Sequence, residues 1–517
     1  MATPQEKLAD SLEVLEALQA KGVVAVRSSD LSRTHRERLL KNGFLKEVMK
    51  GWYVPARPEE RASESTAWYA SFWNFCAAYL EARFADQWCL SPEQSLFLHV
   101  GQRTVPKQLL VRAPKGRNNA TSLPYDTSLF ELRAGLPPDG SREVVHGLRV
   151  YSLPAAIVHS GALLFAENAA EARAALAAVR DSSDVLAILL EGGHSTIAGR
   201  VAGAFRNIGR DRIADEIVST MKGAGYPVRE TDPFARPAPF TFAAREPSPW
   251  VTRMRLMWHD MREKIDPLFP AAPSTPRGIR QYMQRVEDMY VTDAYHSLSI
   301  EGYRVSAELI ERVRAVSWNP DDIEQDREQR DALAARGYYD AFQAVKKSVE
   351  KVLEGQNAGE VAGRDHGSWY RELFSPSVTA GLIGAADLAG YRTGPVLVRN
   401  SHHVPPSREA VRDLMPLLFD LLAQEQQPSV RVVLGRFVFV YIHPYFDGNG
   451  RMGRFLMNVM LASGGYPWTV IPAERRSEYV KALEAASVDG KIEPFARFLG
   501  GLVKDNLEGK PSPAVPD

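Results

Sequence analysis

The sequence predicts a multidomain protein with a winged helix at the N-terminus, a mixed α/β module behind it, and a largely helical C-terminal domain that carries a β-hairpin arm. Residues 1–60 have the order helix, basic helix, hairpin, and residues 61–230 mix strand-like and helical segments. Prolines are dense in residues 231–249, and because proline ends regular structure, this stretch is predicted to be a linker. The helical domain then occupies residues 250–505, and residues 506–517 form a loose tail. A chain of 517 residues is long enough for several domain cores.

The first sixty residues contain two helical stretches followed by a short hairpin. Leucines recur on one face of residues 8–18, a second helical stretch opens at residues 28–30, and residues 44–54 have the pattern of a hairpin. In a winged helix, one helix enters the major groove of DNA while the hairpin contacts the backbone. The basic residues expected to contact DNA are Arg33, Arg36, Arg38, Lys41 and Lys50. A winged helix that docks a protein and leaves these charges in solvent fits the same pattern.

Residues 61–230 are predicted to form a mixed α/β module without a catalytic set. Its strand-like pieces are Leu96–Val100, Gln108–Ala113, Phe130–Ala134 and Leu148–Leu153. A helical half follows from Ala166. The pattern contains neither a nucleophile paired with a base nor metal-ligand spacing, so the ligand of this module stays open. Cys76 and Cys89 lie among apolar neighbours and are expected to be reduced core residues.

The charge and hydropathy patterns argue against several classes of partner. Lysine plus arginine and aspartate plus glutamate both number 63, so any binding of nucleic acid or a membrane surface must be local. Residues 1–10 are polar and charged, which is not the pattern of a secretory signal. No uncharged run is long enough to span a bilayer. We therefore expect a cytoplasmic protein without a membrane partner.

The most informative stretch is residues 443–454, which read HPYFDGNGRMGR. It holds a titratable base, a carboxylate, small glycines and two arginines, between an apolar run that ends at Ile442 and an apolar-periodic one that begins at Phe455. Glycines let backbone N–H groups turn toward an anion, and a helix that starts near Arg451 would aim its positive end at the same place. The pattern predicts a phosphate-binding site.

Each polar residue of this stretch has a chemical role in such a site. Asp447 is a hard oxygen ligand suited to Mg²⁺, which completes its shell with water and nucleotide phosphates. Arg451 and Arg454 share one helix face and can bind separate phosphoryl oxygens. His443 titrates near neutral pH and can act as a general base. An EF-hand is excluded because Arg451 stands at a ligand position of that loop, and the chain contains no GxxxxGK[ST] or HExxH motif.

This stretch resembles the signature of Fic-domain proteins, HPFx[D/E]GNGRxxR, with Tyr445 where that family usually has phenylalanine. The resemblance implies an all-α fold and an enzyme that transfers AMP from ATP to a Ser, Thr or Tyr hydroxyl of a target protein or of itself. ATP and Mg²⁺ are the implied cofactors. His443 becomes the base and Asp447 the metal ligand. The implied phosphate-binding residues are Gly448, Asn449, Gly450, Arg451 and Arg454.

The same resemblance settles one ambiguous element and suggests one further contact. The run from Val430 to Ile442 is apolar and rich in β-branched residues, and its periodicity fits either a buried strand or a buried helix. The resemblance favours the helix. It also implies that Tyr479, which follows residues 475–478, lines the adenine pocket.

A second informative stretch, Ser297 to Gly302, lies at the end of a predicted helix. By composition it is an ordinary helix terminus with Gly302 as its C-cap. It also resembles the inhibitory motif [S/T]xxxE[G/N] of Fic proteins, which implies inhibitory roles for Ser297, Glu301 and Gly302. A glutamate paired with Arg454 would occupy a cation intended for the γ-phosphate and place negative charge there.

A third stretch, Tyr391 to Arg399, is predicted to be an extended hairpin arm. It is similar to the flap of Fic proteins, which holds a target segment by β-augmentation beside the active site. The implied target-binding residues are Tyr391, Arg392, Thr393, Gly394, Val396 and Val398. The adjacent His402 and His403 are expected to be exposed flap residues and not a metal pair, because neighbours on an extended chain point apart.

The N-terminal half resembles AbiEi-like antitoxins, on residues 38–45 and 50–55. Together the resemblances imply an autoinhibited protein adenylyltransferase fused to an antitoxin-like region. Two alternatives stay open. The same motifs serve removal of AMP from a protein, with Glu301 positioning a water molecule. The chain also fits a DNA-binding regulator or an antitoxin–toxin fusion in which the Fic domain is the effector.

Overall fold

Two units divide the chain, and one short segment of the second half of the sequence belongs to the first unit. The computed structural model describes residues 3–56, 58, 65–239, 248–273, 278–314 and 330–516. Unit 1 consists of Met1–Leu256 with Leu397–Val404, and unit 2 of Met257–Val396 with Pro405–Asp517. The predicted boundary at residue 60 and residues 240–247 of the predicted linker lie outside the described residues.

The N-terminal part of unit 1 has the order helix, strand, helix, hairpin. Its elements are α1 (Pro4–Ala20), β1 (Val26–Arg27), α2 (Arg33–Lys41), β2 (Leu45–Met49) and β3 (Trp52–Pro55). The strands form an antiparallel sheet in the order β1-β3-β2, so the predicted hairpin is confirmed. Helix α2 begins later than predicted, because Ser32 provides its cap by accepting from the backbone N–H of His35.

The middle of unit 1 combines a four-stranded mixed sheet with a separate hairpin. Its elements are α3 (Thr66–Phe84), β4 (Cys89–Leu90), α4 (Pro92–His99), β5 (Gln108–Ala113), β6 (Asn119–Ser122), β7 (Ser128–Arg133), β8 (Arg142–Val145) and β9 (Leu148–Tyr151). The sheet order is β4-β5-β7-β6 with β5 and β7 parallel, and β8 pairs with β9. Aromatic side chains of α3, among them Trp68, Phe72 and Phe75, form the core beneath the sheet together with Leu109 and Val111.

One predicted strand, Leu96–Val100, is wrong, since these residues belong to or follow helix α4. Ser91 caps this helix through the N–H of Gln94, and Pro92 occupies its first turn. These start signals outweigh the apolar run, which alone does not distinguish a strand from a buried helix. The other three predicted strands correspond to β5, β7 and β9.

The remainder of unit 1 is helical and rich in small residues. Its helices are α5 (Leu153–His159), α6 (Ala162–Glu167), α7 (Ala169–Ala178), α8 (Ser183–Gly192), α9 (Ser195–Asn207) and α10 (Asp211–Gly223). Alanines of α7 and α9 are buried in one core with Phe165, Phe205 and Met221. Cys76 and Cys89 are both buried and unpaired, as predicted.

Unit 2 carries the candidate site and contains no strand in its described residues. Helix α11 (Pro249–Arg262) enters it from unit 1. The others are α12 (Ile279–Asp288), α13 (Tyr290–Ile300), α14 (Ala307–Arg314), α15 (Arg330–Leu353), α16 (Ala358–Thr379), α17 (Arg408–Gln424), α18 (Pro428–Ile442), α19 (Asn449–Ser463), α20 (Arg476–Asp489) and α21 (Glu493–Leu507). Helices α12 and α13 meet at Met289, and Ser297 lies in the last turn of α13. Among the described helices, none has both the length and the apolar character needed to cross a bilayer.

Two predictions for unit 2 have opposite outcomes. The apolar run from Val430 to Ile442 is a buried helix, α18, as predicted. The β-hairpin predicted for residues 391–399 is not formed, since this stretch contains no paired strand. Pro395 has no N–H to donate to a strand partner, and an isolated arm gains its ladder only when another chain pairs with it.

Candidate active site

The candidate base, His443, stands where α18 ends. Its backbone is left-handed, with φ 52° and ψ 62°, and its N–H donates to the carbonyl of Phe439. This conformation is unfavourable for a residue with a Cβ, and it turns the chain sharply out of the helix. The imidazole is therefore presented at the start of the loop that leads to α19.

The environment of the His443 ring suits a general base. Its Nδ1 lies 3.3 Å from the carbonyl oxygen of Val440, which can only accept a hydrogen bond. Nδ1 therefore carries the ring proton, and the lone pair is on Nε2. Burial lowers the pKa of His443 to about 4, and the positive charge of Arg392 acts in the same direction. The ring is neutral at pH 7 and able to accept a proton.

The loop between α18 and α19 is braced by Tyr445 and Asn449. The Tyr445 ring is buried and stacks on Tyr370, with ring centroids 3.7 Å apart. The Asn449 side chain accepts from the Tyr445 N–H at 2.9 Å and donates to the Tyr445 carbonyl at 2.8 Å. Both ends of the predicted phosphate-binding amide are thus engaged by the loop. Asn449 can offer a phosphate its backbone N–H at the start of α19.

The N-terminus of α19 lies against the carboxylate of Glu301. A Cβ on Gly450 would overlap Oε1 of Glu301, so the carboxylate touches the backbone of the first helical turn. A helix N-terminus attracts anions through its unpaired N–H groups and its dipole. Glu301 thus marks an anion position, and glycine at 450 is required to leave it open.

Arg454 and Arg451, both buried, flank this position. Arg454 donates from Nε to Ser297 Oγ at 2.7 Å, and from Nη2 to the Ser297 carbonyl at 2.9 Å and to Glu301 Oε1 at 2.7 Å. Nη2 of Arg451 lies 3.3 Å from Oδ2 of Asp447. The predicted pairing of Glu301 with Arg454 is therefore present, and Ser297 supports it.

A third buried arginine, Arg436 on α18, is absent from the residues predicted from sequence. It donates to the Tyr479 hydroxyl and lies against Gly453, one turn along α19 from Gly450. Tyr479 is itself buried, with its ring beside Phe498. A charged residue within a run that is predicted to be a buried helix is the signal that could have identified Arg436.

Several guanidinium nitrogens of these arginines have no hydrogen-bond partner among the described residues. They are Nε and Nη1 of Arg436, Nε of Arg451 and Nη1 of Arg454. Buried donors in folded proteins are normally satisfied, so unsatisfied ones require a reason. An anionic ligand at the start of α19 would supply acceptors where the protein supplies too few.

Glu301 is ionised in this setting. Burial alone would raise its pKa, but the positive charges of Arg454 and Arg451 hold the pKa below its usual value. Its side chain remains 31% exposed. Helix α13 ends one residue before Glu301, which is therefore its C-cap, and Gly302, the predicted C-cap, follows with φ 90°.

Asp447, the predicted metal ligand, is exposed beside the base and the arginines. Its Oδ1 accepts from the N–H of Gly448 at 2.6 Å. No group of three or more His, Cys, Asp or Glu side chains that could hold a metal occurs in the described part of the chain. A single carboxylate fits Mg²⁺, which takes much of its shell from water and phosphates.

The predicted flap residues differ in exposure. Thr393 is exposed, and Gly394, Val396 and Val398 are partly buried. The Tyr391 hydroxyl lies 2.8 Å from Nε2 of His366. Arg392 is buried and does not face a target, contrary to the prediction. Within unit 2, Gly394 adjoins Phe446, an exposed aromatic of the loop 443–448 that sequence reasoning missed.

His402 and His403 are not the exposed flap residues that were predicted. They belong to unit 1, where Nε2 of His402 lies 2.8 Å from the Tyr69 hydroxyl, and His403 is buried. Packing against α3 overrides the exposure expected for an extended arm. The two rings do not form a metal pair with any third ligand among the described residues.

The five basic residues predicted to bind DNA fall into two groups. Arg33, Lys41 and Lys50 are exposed, with Arg33 paired to Glu37 at 2.7 Å. Arg38 turns inward and donates to Ser11 of α1 at 2.8 Å, while Arg36 donates to the Ser28 carbonyl at 3.1 Å. Arg36 and Arg38 therefore help to pack α2 against the rest of the N-terminal part.

Comparison with known proteins concerns the segment that holds this site. Residues 367–461 match the model of the Fic/DOC family. The chain is 39% identical over 232 residues to Protein adenylyltransferase Fic of Drosophila willistoni, which covers 43% of this chain and 42% of the relative. It is 26% identical over 266 residues to the protein of the same name from Nematostella vectensis, which covers 50% of this chain and 57% of the relative. The chain spans about half the length of these curated relatives.

Among solved structures, the chain is similar to Fic-1, residues 134–508, from C. elegans. The sequence identity is 18% and the TM-score is 0.36, over 68% of this chain and 97% of that chain. The family match includes the loop at 391–396, α18, the loop 443–448 and most of α19.

Proposed function

We propose that this protein is an autoinhibited protein adenylyltransferase, which transfers AMP from ATP to a hydroxyl of a target protein or of itself. One observation carries the proposal: a neutral base, His443, precedes by six residues a helix whose N-terminus lies against a carboxylate and beside buried guanidinium donors without partners. Base and anion position together are what phosphoryl or nucleotidyl transfer requires. The relatives that match are named protein adenylyltransferases.

In the proposed reaction, Nε2 of His443 accepts the proton of the target hydroxyl while that oxygen attacks the α-phosphorus of ATP. The new oxygen–phosphorus bond forms as the bond from the α-phosphorus to the oxygen bridging to the β-phosphate breaks, and pyrophosphate leaves. The first turn of α19 and the guanidinium groups of Arg451 and Arg454 neutralise the phosphates. The triphosphate charge will also raise the pKa of His443 from its value in the free protein toward neutrality, which strengthens the base.

Asp447 is the residue that we propose holds Mg²⁺. The exposed carboxylate sits at the mouth of the loop, and water and phosphate oxygens can complete the shell. The metal would neutralise charge on the leaving pyrophosphate.

We propose that Glu301 is the inhibitory residue. Its carboxylate occupies the anion position at Gly450 and uses one of the nitrogens of Arg454 that would bind the γ-phosphate. ATP that binds while Glu301 is in place meets negative charge and a missing cation, so the triphosphate lies unproductively. Removal of the carboxylate should release Arg454.

We propose that the accessible residues of the predicted flap bind the target. A target segment would lie along Thr393, Gly394 and Val396 and bring its hydroxyl toward His443. Phe446 is added to this surface because it is 49% exposed beside Gly394. Arg392 is withdrawn from it.

Isotope labelling tests the activity and the inhibitory role of Glu301 together. Wild type, Glu301→Gly, Glu308→Gly and Glu301→Gly/His443→Ala are incubated with ATP labelled on the α- or the γ-phosphate. We expect α-label on protein, at least about 10-fold more for Glu301→Gly than for wild type, and none for the double variant. Glu308 is an exposed glutamate of α14 and serves as the matched control.

Each other outcome has a definite meaning. Transfer of γ-label would replace the proposal with a kinase reaction. Equal labelling of wild type and Glu301→Gly would refute the inhibitory role of Glu301. Loss of α-label from pre-labelled Glu301→Gly protein on addition of wild type, dependent on Glu301, would favour removal of AMP as the reaction.

We also propose that the N-terminal part of unit 1 contacts DNA, through Lys41 at the end of α2 and Lys50 in the β2–β3 turn, both of which are exposed. Binding should weaken with salt, because each phosphate contact releases counterions. A mobility shift on DNA upstream of the gene would compare wild type, Lys41→Gln/Lys50→Gln and Lys107→Gln/Lys115→Gln. Absence of a shift at low salt, or equal weakening by both double variants, would refute the proposal.

A further inference from the structure

Arg392 is a buried guanidinium whose acceptors are all main-chain carbonyls. Nε donates to the His443 carbonyl at 2.8 Å, and Nη1 to the Gly394 carbonyl at 2.9 Å. Nη2 donates to the Pro406 carbonyl and lies 3.5 Å from the Ile442 carbonyl. Its own backbone N–H donates to the Pro444 carbonyl at 2.9 Å. Among the described residues, no carboxylate lies within ion-pair distance of it.

Burying a cation without a counter-ion is unfavourable, and burial lowers the pKa of Arg392 to about 10. Two features offset this cost. The planar fork of arginine places its donors in several directions at once, so most of them are satisfied. The carbonyls of Ile442 and His443 close the C-terminus of α18, where the helix dipole favours a positive charge.

The acceptors come from three separate pieces of chain. Gly394 lies shortly before the chain passes into unit 1 at Leu397, Pro406 lies just after it returns to unit 2 at Pro405, and His443 is the turn that presents the base. One side chain therefore ties both stems of the loop that contains residues 391–406 to the backbone of His443.

We propose that Arg392 is the positioning residue of the reaction, which holds the left-handed turn of His443 and thereby fixes the imidazole relative to the anion position at α19. The backbone of His443 is held in an unfavourable region, so it needs contacts that over-determine it. Arg392 supplies two, through the carbonyl of His443 and, from its backbone, through that of Pro444. A displacement of the loop stems would be transmitted to the base through these bonds.

The charge of Arg392 has a consequence that a purely structural role would not have. The groups that act on the His443 ring are the carbonyl of Val440, the cation of Arg392 and the carboxylates of Glu301 and Asp447. Burial and Arg392 lower the pKa of His443, and the other three raise it. Removing the guanidinium should therefore raise the pKa of His443, and the base will become protonated at higher pH.

Of the measurements that test this proposal, only the kinetics of AMP transfer rest on the proposed function. Arg392→Lys, Arg392→Met and the control Arg408→Met are made in the Glu301→Gly background. Arg408 is exposed, begins α17 two residues after Pro406 and pairs with Glu409 at 2.6 Å, so its loss removes the same charge from the surface. The first readout is exchange of the imidazole Cε1 hydrogen with deuterium, followed by mass spectrometry of the peptide that contains His443, which gives its pKa. The second is amide exchange of residues 443, 445 and 446, since Pro444 has no amide hydrogen.

We expect Arg392→Met to raise the pKa of His443 and Arg392→Lys to change it less, because lysine keeps the charge. Amide exchange of residues 443, 445 and 446 should rise at least about 10-fold in both variants, because an ammonium cannot bridge three pieces of chain. In AMP transfer, kcat should fall at least about 10-fold with the KM for ATP within about 2-fold, and the acidic limb of the pH profile should move to higher pH. Arg408→Met should match its parent in each measurement.

The proposal would be overturned if Arg392→Lys and Arg392→Met both exchanged their amides at the rate of the parent and both kept the His443 pKa of the parent. If Arg392→Met does not fold, Arg392→Lys decides it through amide exchange and kcat. If the parent transfers no AMP, the proposed function fails, while the two exchange measurements still decide the role of Arg392.

Discussion

Glu301 and Gly450 show at the scale of single residues how an anion site can be both built and filled. The missing side chain at Gly450 opens the first turn of α19, and the Glu301 carboxylate enters the space. Arg454 then binds the carboxylate at 2.7 Å and keeps it ionised. A ligand that takes this place must bring negative charge of its own, which a nucleotide triphosphate does.

The low pKa of His443 leads to a prediction about pH. A base works only while neutral, and burial holds its pKa near 4, so kcat/KM for AMP transfer by Glu301→Gly should be constant from pH 8 down to about pH 6. Activity should fall as the pH drops through the pKa of the free enzyme. The charge of Glu301 raises the pKa of His443, so its removal lowers that pKa and moves the acidic limb to lower pH. A pH profile of initial rates checks this, and an acidic limb at pH 6.5 or above would contradict it.

Arg436 and Arg392 are two buried arginines that differ in whether their hydrogen-bond donors have acceptors. Both are buried cations without a carboxylate in hydrogen-bond contact among the described residues. Arg436 lies against Gly453 of α19, and Arg392 donates to the carbonyl of His443. Arg436 has unsatisfied donors, whereas Arg392 has its donors on carbonyls. The first arrangement fits a group that waits for a ligand, and the second fits a group that holds the backbone.

At the scale of elements, α13 is fixed in the core of unit 2 by more than the Glu301 pair. Asp293, three residues into this helix, accepts a hydrogen bond from the Tyr338 hydroxyl of α15 at 2.7 Å. Burial raises the pKa of Asp293 to about 6, although Tyr338 opposes the rise. The helix that carries Ser297 and Glu301 therefore contains a carboxylate that is unfavourable when charged.

This carboxylate predicts a pH dependence of stability. Its folded pKa, about 6, is above the ordinary aspartate pKa of 3.8, so the folded state binds the proton more tightly. Stability contributed by the protonated form is full below the unfolded pKa and is lost as pH rises through about 6. Relative to wild type, Asp293→Asn should therefore gain on the order of 2 kcal/mol in unfolding free energy between pH 4 and pH 7.

Thermal unfolding of both proteins across this range provides the measurement. Asp288→Asn, at the exposed end of α12, is the control and should follow wild type. Parallel curves for wild type and Asp293→Asn would show that Asp293 titrates alike in the folded and unfolded chain. The comparison of slopes is independent of any fixed cost of placing an amide at 293.

At the scale of the whole molecule, the chain visits unit 1 a second time through residues 397–404. There the Asn400 side chain accepts from the Ser65 N–H at 3.1 Å, and the His402 carbonyl accepts from the Val105 N–H at 3.0 Å. Val404 packs on the aromatic core of α3. The loop that follows the predicted flap is thus part of the fold of unit 1.

Cutting these contacts should loosen residues 400–404 of unit 1 and leave α19 unchanged. Asn400→Ala/His402→Ala is expected to speed amide exchange in residues 400–404 by about 10-fold or more, because their packing and the ring contact with Tyr69 are lost. Exchange in α19 should be unaltered, since α19 is buried in unit 2. Peptide-level exchange measures both regions, with Leu397→Ala, an exposed leucine of the same segment, as control. Faster exchange in α19 would contradict the prediction.

The candidate site could be predicted from sequence wherever its chemistry lies close together along the chain. His443, Asp447 and Arg454 fall within one window because a helix end, a loop and a helix start occupy neighbouring positions. Glu301 was identified through a short motif, and its contact with Arg454 spans 153 residues. Arg436 was missed because a helix of mixed periodicity does not reveal which of its residues faces the site.

The errors have a common physical origin. A strand was predicted over Leu96–Val100 because an apolar run looks the same in a buried helix, and the cap at Ser91 decided the outcome. A hairpin was predicted at residues 391–399, yet a strand needs a partner that the described chain does not provide there. Arg392 was assigned to a target because its stretch resembles the flap of Fic proteins, whereas its side chain is buried.

From the sequence alone, the candidate base and the anion position could be predicted, because their residues lie within a few turns of one another. The helical character of α18 followed only from the resemblance to Fic proteins, since its periodicity also fitted a strand. Which charges are in contact depends on the tertiary structure. It brought Glu301 against Gly450 and Arg454, buried Arg436 beneath α19, and turned Arg392 onto the backbone of His443. Such contacts depend on how helices distant in sequence pack, and packing is set by the shape of the whole core rather than by any local pattern.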